Sequence, residues 1–348
     1  VTQALDALAA AVAQSPDDPG PLLVWADALQ ARGDPLGEFI TASFSLTKET
    51  DPSRFVASRR RVTELLATHR RAWLGGADVE EEDWRWGLLR RCALTVEPEH
   101  LFQAQMASED APQAHLALLL DELMRVLASP AGRFLEDAAL HLPGGLDSLA
   151  PLADVVAGAP ALRGLVLSLP GPTLTLRPQA FPAITRWRLL GVPLDPSTTL
   201  PLSLERLELL EVPLFPGAEE LLAGPAPSLH TLRLEDEHLE VARLVARLSA
   251  ATHPALRRLA IADDLADDVL LALAQSPVLA RLDELEVRGP FTDAGLEAVF
   301  GAAARFDRLR RVSLVGGGVS ADVKKRALKR LPRLEVVGRK PRGPWTGW

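Results

Sequence analysis

Five arginines stand at matched places in a repeating pattern: Arg186, Arg188, Arg206, Arg233 and Arg258. Guanidinium groups form bidentate pairs with carboxylates and phosphates, so a cluster of them is chemistry for holding an acidic ligand rather than for breaking bonds. Glu205 and Glu208 stand among them, so the same set also reads as a self-neutralised ladder of surface pairs, each worth little.

Other side chains that could do chemistry lack the necessary company. The seven histidines, at positions 69, 100, 115, 141, 230, 238 and 253, are scattered, and none pairs at metal spacing on one helix. No serine lies in a nucleophile-elbow context. Gly316-Gly317-Gly318 between a strand and a helix resembles a phosphate-cradling loop, but no Gly-Lys-Ser/Thr follows and a plain turn explains it. Glu80-Glu81-Glu82-Asp83 could bind a cation; a solvated loop before Trp84 and Trp86 is the simpler reading. Arg32-Gly33-Asp34 spells an adhesion tripeptide, yet a helix stop followed by a helix start accounts for all three residues. The single cysteine, Cys92, rules out a disulfide framework and a cysteine-based zinc cluster within one chain, and falls at an inward strand position where an inert buried thiol is expected. No catalytic residue, cofactor site or metal site is therefore assigned.

What must position the arginines is a repeat. The pattern apolar-x-x-apolar-x-apolar appears as Leu162-Arg-Gly-Leu165-Val-Leu167 and returns at Ile184, Leu204, Leu229, Leu256, Leu282, Leu309 and Leu331. Start-to-start spacings are 22, 20, 25, 27, 26, 27 and 22 residues. A further copy starts at Leu135, and a degenerate one, Leu89-Arg-Arg-Cys92-Ala-Leu94, precedes it. Positions four and six point inward from a short strand, while three and five point outward. Burying three such side chains contributes roughly 5–9 kcal/mol, far less than the cost of ordering about 25 residues. Each unit must therefore stack on its neighbours, which predicts a parallel sheet on one face with return segments on the other. Neighbouring strands lie about 4.8 Å apart, so the outward arginines form ladders.

The returns differ in kind. Thr292-Asp-Ala-Gly-Leu296-Glu-Ala-Val299-Phe300 reads as a capped helix, and Leu265 to Gln275 and Ser320 to Arg330 read likewise. The proline-rich stretches from Pro170 to Pro182 and from Pro193 to Pro201 predict irregular turns.

This strand pattern and spacing resemble leucine-rich repeats over about residues 130–338, with Thr292–Val299 similar to the ribonuclease-inhibitor-like subtype. The resemblance implies an α/β solenoid, a horseshoe with its parallel sheet on the concave face. It departs from the family where an Asn or Cys usually follows the strand: those places hold Pro170, Val192, Val212, Glu237, Asp264, Pro290, Gly317 and Arg339. The internal Asn ladder is therefore not expected.

Ahead of the repeats, residues 2–14, 19–32, 35–48 and 52–72 read as helices, broken by Ser15-Pro16 and by Gly33-Asp34-Pro35. The segment from Ser15 to Ile40, with Trp25-Ala26-Asp27-Ala28 at its centre, resembles the bacterial repeat-companion domain, which implies no transferable activity. The expected organisation is a helical N-terminal capping domain (1–75), a linker and first degenerate repeat with a helix (76–130), leucine-rich repeats (131–338) and a C-terminal tail (339–348).

Charge is uneven. Residues 321–348 carry nine basic side chains against Asp322 and Glu335, leaving the first 320 residues at about −15 of the −8 total. An acidic body disfavours nonspecific nucleic-acid binding. Thr2 to Gln14 carries Asp6 and no basic start, so no secretory signal is expected, and no apolar run reaches the roughly 18 residues of a membrane span. The expectation is a cytoplasmic, non-enzymatic module or scaffold whose partner is a protein of acidic character held on the concave face. The alternative is a binder of nucleic acid or another acidic surface through residues 321–348.

Overall fold

The computed structural model describes residues 2–94, 96, 110–169, 176–192, 199–210, 222–235, 245, 248, 252–264, 266–302, 309–316, 318–330 and 334–337. The C-terminal tail, Arg333, Gly317, His100, His238 and most of the proline-rich returns lie outside these residues. The chain divides into two compact units, Val1–Val166 and Leu167–Trp348.

The first unit opens with α1 (Thr2–Gln14), α2 (Pro19–Gln30), α3 (Pro35–Leu46) and α4 (Pro52–Trp73). Three of these helices start by one local device. Asp18, Asp34 and Asp51 each accept a backbone N–H two residues on, and proline follows at the first helical position. This accounts for Arg32-Gly33-Asp34 as a boundary: the Asp34 carboxylate takes the Leu36 N–H at 2.9 Å.

Strands β1 (Val79–Arg85) and β2 (Leu88–Leu94) follow as an antiparallel hairpin. The stretch Glu80–Asp83 is thus part of a strand and not a loop, which corrects the sequence reading. Its side chains carry charge on both faces of β1, so the period-two alternation that announces a half-buried strand is absent. The turn is instead set by Trp86 and Gly87, both at positive φ (52° and 79°), the backbone of a tight two-residue hairpin. A Cβ on Gly87 would stand 2.7 Å from the Ile40 Cα, so the hairpin is pressed directly onto α3.

The degenerate copy at Leu89 is a true repeat strand. β2 pairs in parallel with β3 (Asp137–His141), matching Cys92 to Ala138 and Leu94 to Leu140. α5 (Ala111–Ala128) and α6 (Ala150–Ala157) are the returns on either side of β3, and β4 (Gly164–Ser168) straddles the division between units.

One core joins the helices to the first repeat strand. Trp25, Phe39, Ile40, Leu65 and Trp73 pack with Leu88, Ala131 and Phe134. Trp25 meets Phe134 edge-on at 5.3 Å, and Phe39 stacks on Trp73 at 4.7 Å.

The second unit holds β5 (Arg186–Leu190), β6 (Arg206–Leu210), β7 (Thr231–Glu235), β8 (Arg258–Ala262), β9 (Glu284–Arg288), β10 (Arg311–Val315) and β11 (Leu334–Val337). Each is parallel to the next in unshifted register. α7 (Ala266–Gln275), α8 (Asp293–Gly301) and α9 (Ala321–Arg330) fall on the predicted helical returns. The fold is α/β, with a mostly parallel sheet behind a helical N-terminal stretch. Among the described residues no helix is long and apolar enough to cross a membrane.

Two hydrogen-bond ladders link successive repeats. The carbonyl before each strand accepts two amides of the next repeat: Thr185 from Glu205 and Arg206, Glu205 from His230 and Thr231, His230 from Arg257 and Arg258. On the helical side, Asp267 takes the Thr292 N–H (2.8 Å) and hydroxyl (2.6 Å), and Asp293 takes the Ser320 N–H (2.8 Å). These aspartate bonds lie at exposed helix starts and tie each helical return to the next.

Candidate functional site

Pleating puts alternate residues of β5, β6 and β7 on the sheet's outer face, and the register then decides which of them meet. Arg186 stands opposite Arg206, and Arg188, Glu208 and Arg233 form one row across the three strands. Glu208 is the centre of that row. Its carboxylate accepts from Arg206 Nε at 2.6 Å, lies 3.7 Å from Arg188 Nε and 3.6 Å from Arg233 Nη1, and is only 2% exposed. Arg233 also donates to Glu235 at 2.6 Å.

The five arginines are therefore not one uniform patch. Arg186, Arg188, Arg206 and Arg233 come together on three adjacent strands around Glu208. Arg258, on β8, faces the other way in charge terms: it pairs with Glu284 of β9 at 3.3 Å, and both side chains are well exposed. Beside it, Ala260 and Ala262 leave β8 almost without outward bulk. Across that gap, Arg288 of β9 donates to Glu286 at 2.9 Å.

Burial pushes the Arg188 guanidinium below the usual arginine range, with Arg233 and Arg206 adding in the same direction and the Glu208 carboxylate opposing them. Burial likewise lowers Arg288. The cluster is thus a set of cations crowded around a sunken carboxylate, with their planar donors held in place by it. Planar guanidinium donors held this way are suited in chemistry to pairing with an anion.

Glu286, at the outward fifth position, belongs to this face, as do Glu235 and Arg288, which were not singled out from the sequence. Glu235 and Arg288 occupy position seven of the pattern, the next outward place after three and five, so the same alternation could have found them.

The remaining candidates stay apart. Cys92 lies inward on β2, and burial pushes its thiol up to about 12. His253 is fully buried, its Nδ1 2.8 Å from the Thr252 hydroxyl. Among the described residues no group of three or more His, Cys, Asp or Glu is arranged to hold a metal ion. On α9, Lys325, Lys329 and Arg330 are exposed, Lys324 is half-buried, and Arg326 reaches Glu297 of α8 at 2.5 Å.

No protein-family model matches the chain, and no curated protein matches it in sequence. A crystal structure of a protein from Bacteroides fragilis is similar, with a TM-score of 0.49 and 14% identity. That likeness spans 83% of this chain and 85% of the other.

Proposed function

We propose that the chain is a non-enzymatic protein-interaction module or scaffold, a leucine-rich-repeat horseshoe of ribonuclease-inhibitor-like type behind a repeat-companion domain. Its partner is a protein with an acidic surface, held on the outward face of the repeat sheet, which would be the concave face in that architecture. One observation carries the reading: Glu208 organises Arg188, Arg206 and Arg233 into a fixed array on rigid strands. Preorganised donors lose little entropy on binding, and an arginine array on an otherwise acidic chain focuses negative charge. Unbroken register from β5 to β11 supports the repeat architecture.

The test uses two charge-reversal baits. Full-length protein with Arg186→Glu and Arg206→Glu is compared with Lys324→Glu and Lys325→Glu in quantitative capture experiments. A protein retained by wild type and by the second bait, but lost from the first, supports the sheet face. Loss from the second bait alone assigns binding to the basic C-terminal end, and release by nuclease would make the partner a nucleic acid.

A further inference from the structure

α4 is the most exposed long helix of the first unit and the most basic. Over 22 residues it buries only Leu65 and Trp73. It carries six arginines against a single Glu64 in a chain whose net charge is −8. Two of the six have structural work: Arg61 holds Glu38 at 2.6 Å, and Arg70 holds Glu82 at 2.7 Å. Arg60 reaches Glu64 at 2.8 Å, with side-chain exposures of 81% and 47%. Such a pair is worth little and can be re-partnered. Arg54, Arg59 and Arg71 make no ion pair among the described residues.

The outer face of this helix is shaped as well as charged. A shallow groove runs between two rows of side chains four residues apart, Phe55–Arg59–Thr63 and Val56–Arg60–Glu64. A groove between such rows is where the side-chain ridge of another helix seats. Phe55 and Val56, 37% and 66% exposed, make its first turn apolar. Arg59 and Arg60 flank the next turn, and Arg71 lies about 18 Å further along the axis from Arg59.

We propose that the groove on α4 docks an amphipathic acidic helix from a protein partner, with apolar residues over Phe55 and Val56 and carboxylates against Arg59 and Arg60. This surface uses none of the residues of the arginine cluster on β5–β7 and does not depend on that reading. A nucleic-acid backbone fits less well. Running along α4, it would meet Glu64 at mid-helix and then Glu82 of β1, which Arg70 ties to the far end of the helix. A helix crossing at the first turns avoids those carboxylates.

The experiment uses the full chain and a labelled synthetic amphipathic peptide of about 18 residues, leucine on one face and glutamate on the other. A lysine-for-glutamate version and a single-stranded oligonucleotide serve as competing probes. Fluorescence anisotropy should show salt-sensitive binding of the acidic peptide alone. Arg59→Glu with Arg60→Glu should weaken it at least about tenfold, because attraction becomes repulsion. Val56→Ser should weaken it more mildly, while Arg311→Glu, an exposed position on β10, should leave it unchanged. All these positions are exposed, so the variants should stay folded, the α4 double variant losing only the small contribution of the Arg60–Glu64 pair. Equal binding by the α4 double variant, tighter binding of the oligonucleotide, or a salt-sensitive dimer of the protein alone that the double variant abolishes would each overturn the proposal.

Discussion

Arg206 and Glu208 lie two residues apart on β6, on the same face, with Arg206 Nε 2.6 Å from the Glu208 carboxylate. Arg188 and Arg233 close over the same carboxylate from the strands on either side. A charge at an outward strand position has in this way become one of the most buried polar side chains among the described residues.

Removing the centre of this array leaves several cations crowded without it. Glu208→Gln should destabilise the protein by about 3 kcal/mol, as breaking a buried ion pair does. Glu284→Gln, which breaks the exposed pair with Arg258, should cost less than about 1 kcal/mol. Chemical denaturation of both variants beside wild type makes the comparison; equal losses would mean that Glu208 is no more than a surface charge.

The repeats also meet through backbone at Gly289. This residue sits at φ 145°, and a Cβ there would stand 1.9 Å from the Asp263 carbonyl oxygen. Gly289→Ala should therefore lose more than about 1 kcal/mol. Gly301, at the end of α8, has open space around the same position, so Gly301→Ala should be neutral or slightly stabilising. Thermal melts should show a clear drop for Gly289→Ala and none for Gly301→Ala.

The N-terminal helices cover the first repeat through Trp25 and Phe134, both buried and in edge-on contact. Phe134→Ala should cost about 3–5 kcal/mol. Deleting residues 1–75 exposes Leu88, Ala131 and Phe134 together and should cause aggregation, visible by light scattering. A monomeric, fully stable truncated protein would remove the capping role.

Cys92 gives a pH-dependent readout. Burial, with Glu82 nearby, raises its folded pKa from an ordinary value near 9.0 to about 12. Below about 9 the thiol is neutral in both states and contributes its full share of stability. Between 9 and 12 the unfolded chain ionises and the folded one does not, so stability falls as pH rises through that window. Wild type should lose more stability from pH 8 to pH 10.5 than Cys92→Ala does. A thiol reagent at pH 8 should label wild type only after unfolding.

Much of this architecture could be read from residue order because it depends on neighbours along the chain. Helix starts at Asp18, Asp34 and Asp51 are local hydrogen bonds, and each repeat strand announces itself by three apolar side chains within six residues. Even the degenerate strand around Cys92 obeyed that rule. β1 did not, since Glu80 to Asp83 puts charge on both faces and only the backbone at Trp86-Gly87 turns it back onto β2.

Outward positions of the sheet, and hence the arginine ladder, likewise followed from alternation by itself. What alternation could not determine is which outward side chains touch. Glu208 meets Arg188 and Arg233 only because strands 20 and 25 residues apart in sequence align without a slip. Asp267 reaches Thr292 for the same reason, and no spacing rule within one repeat contains that bond. The bare basic face of α4 was equally hidden, since an arginine-rich helix can bury either side until its neighbours are placed. Local order thus settled the elements and the directions of their side chains. Burial, charge pairing and the exposed faces were decided by tertiary packing, because each is a property of groups far apart in the chain brought within a few ångströms.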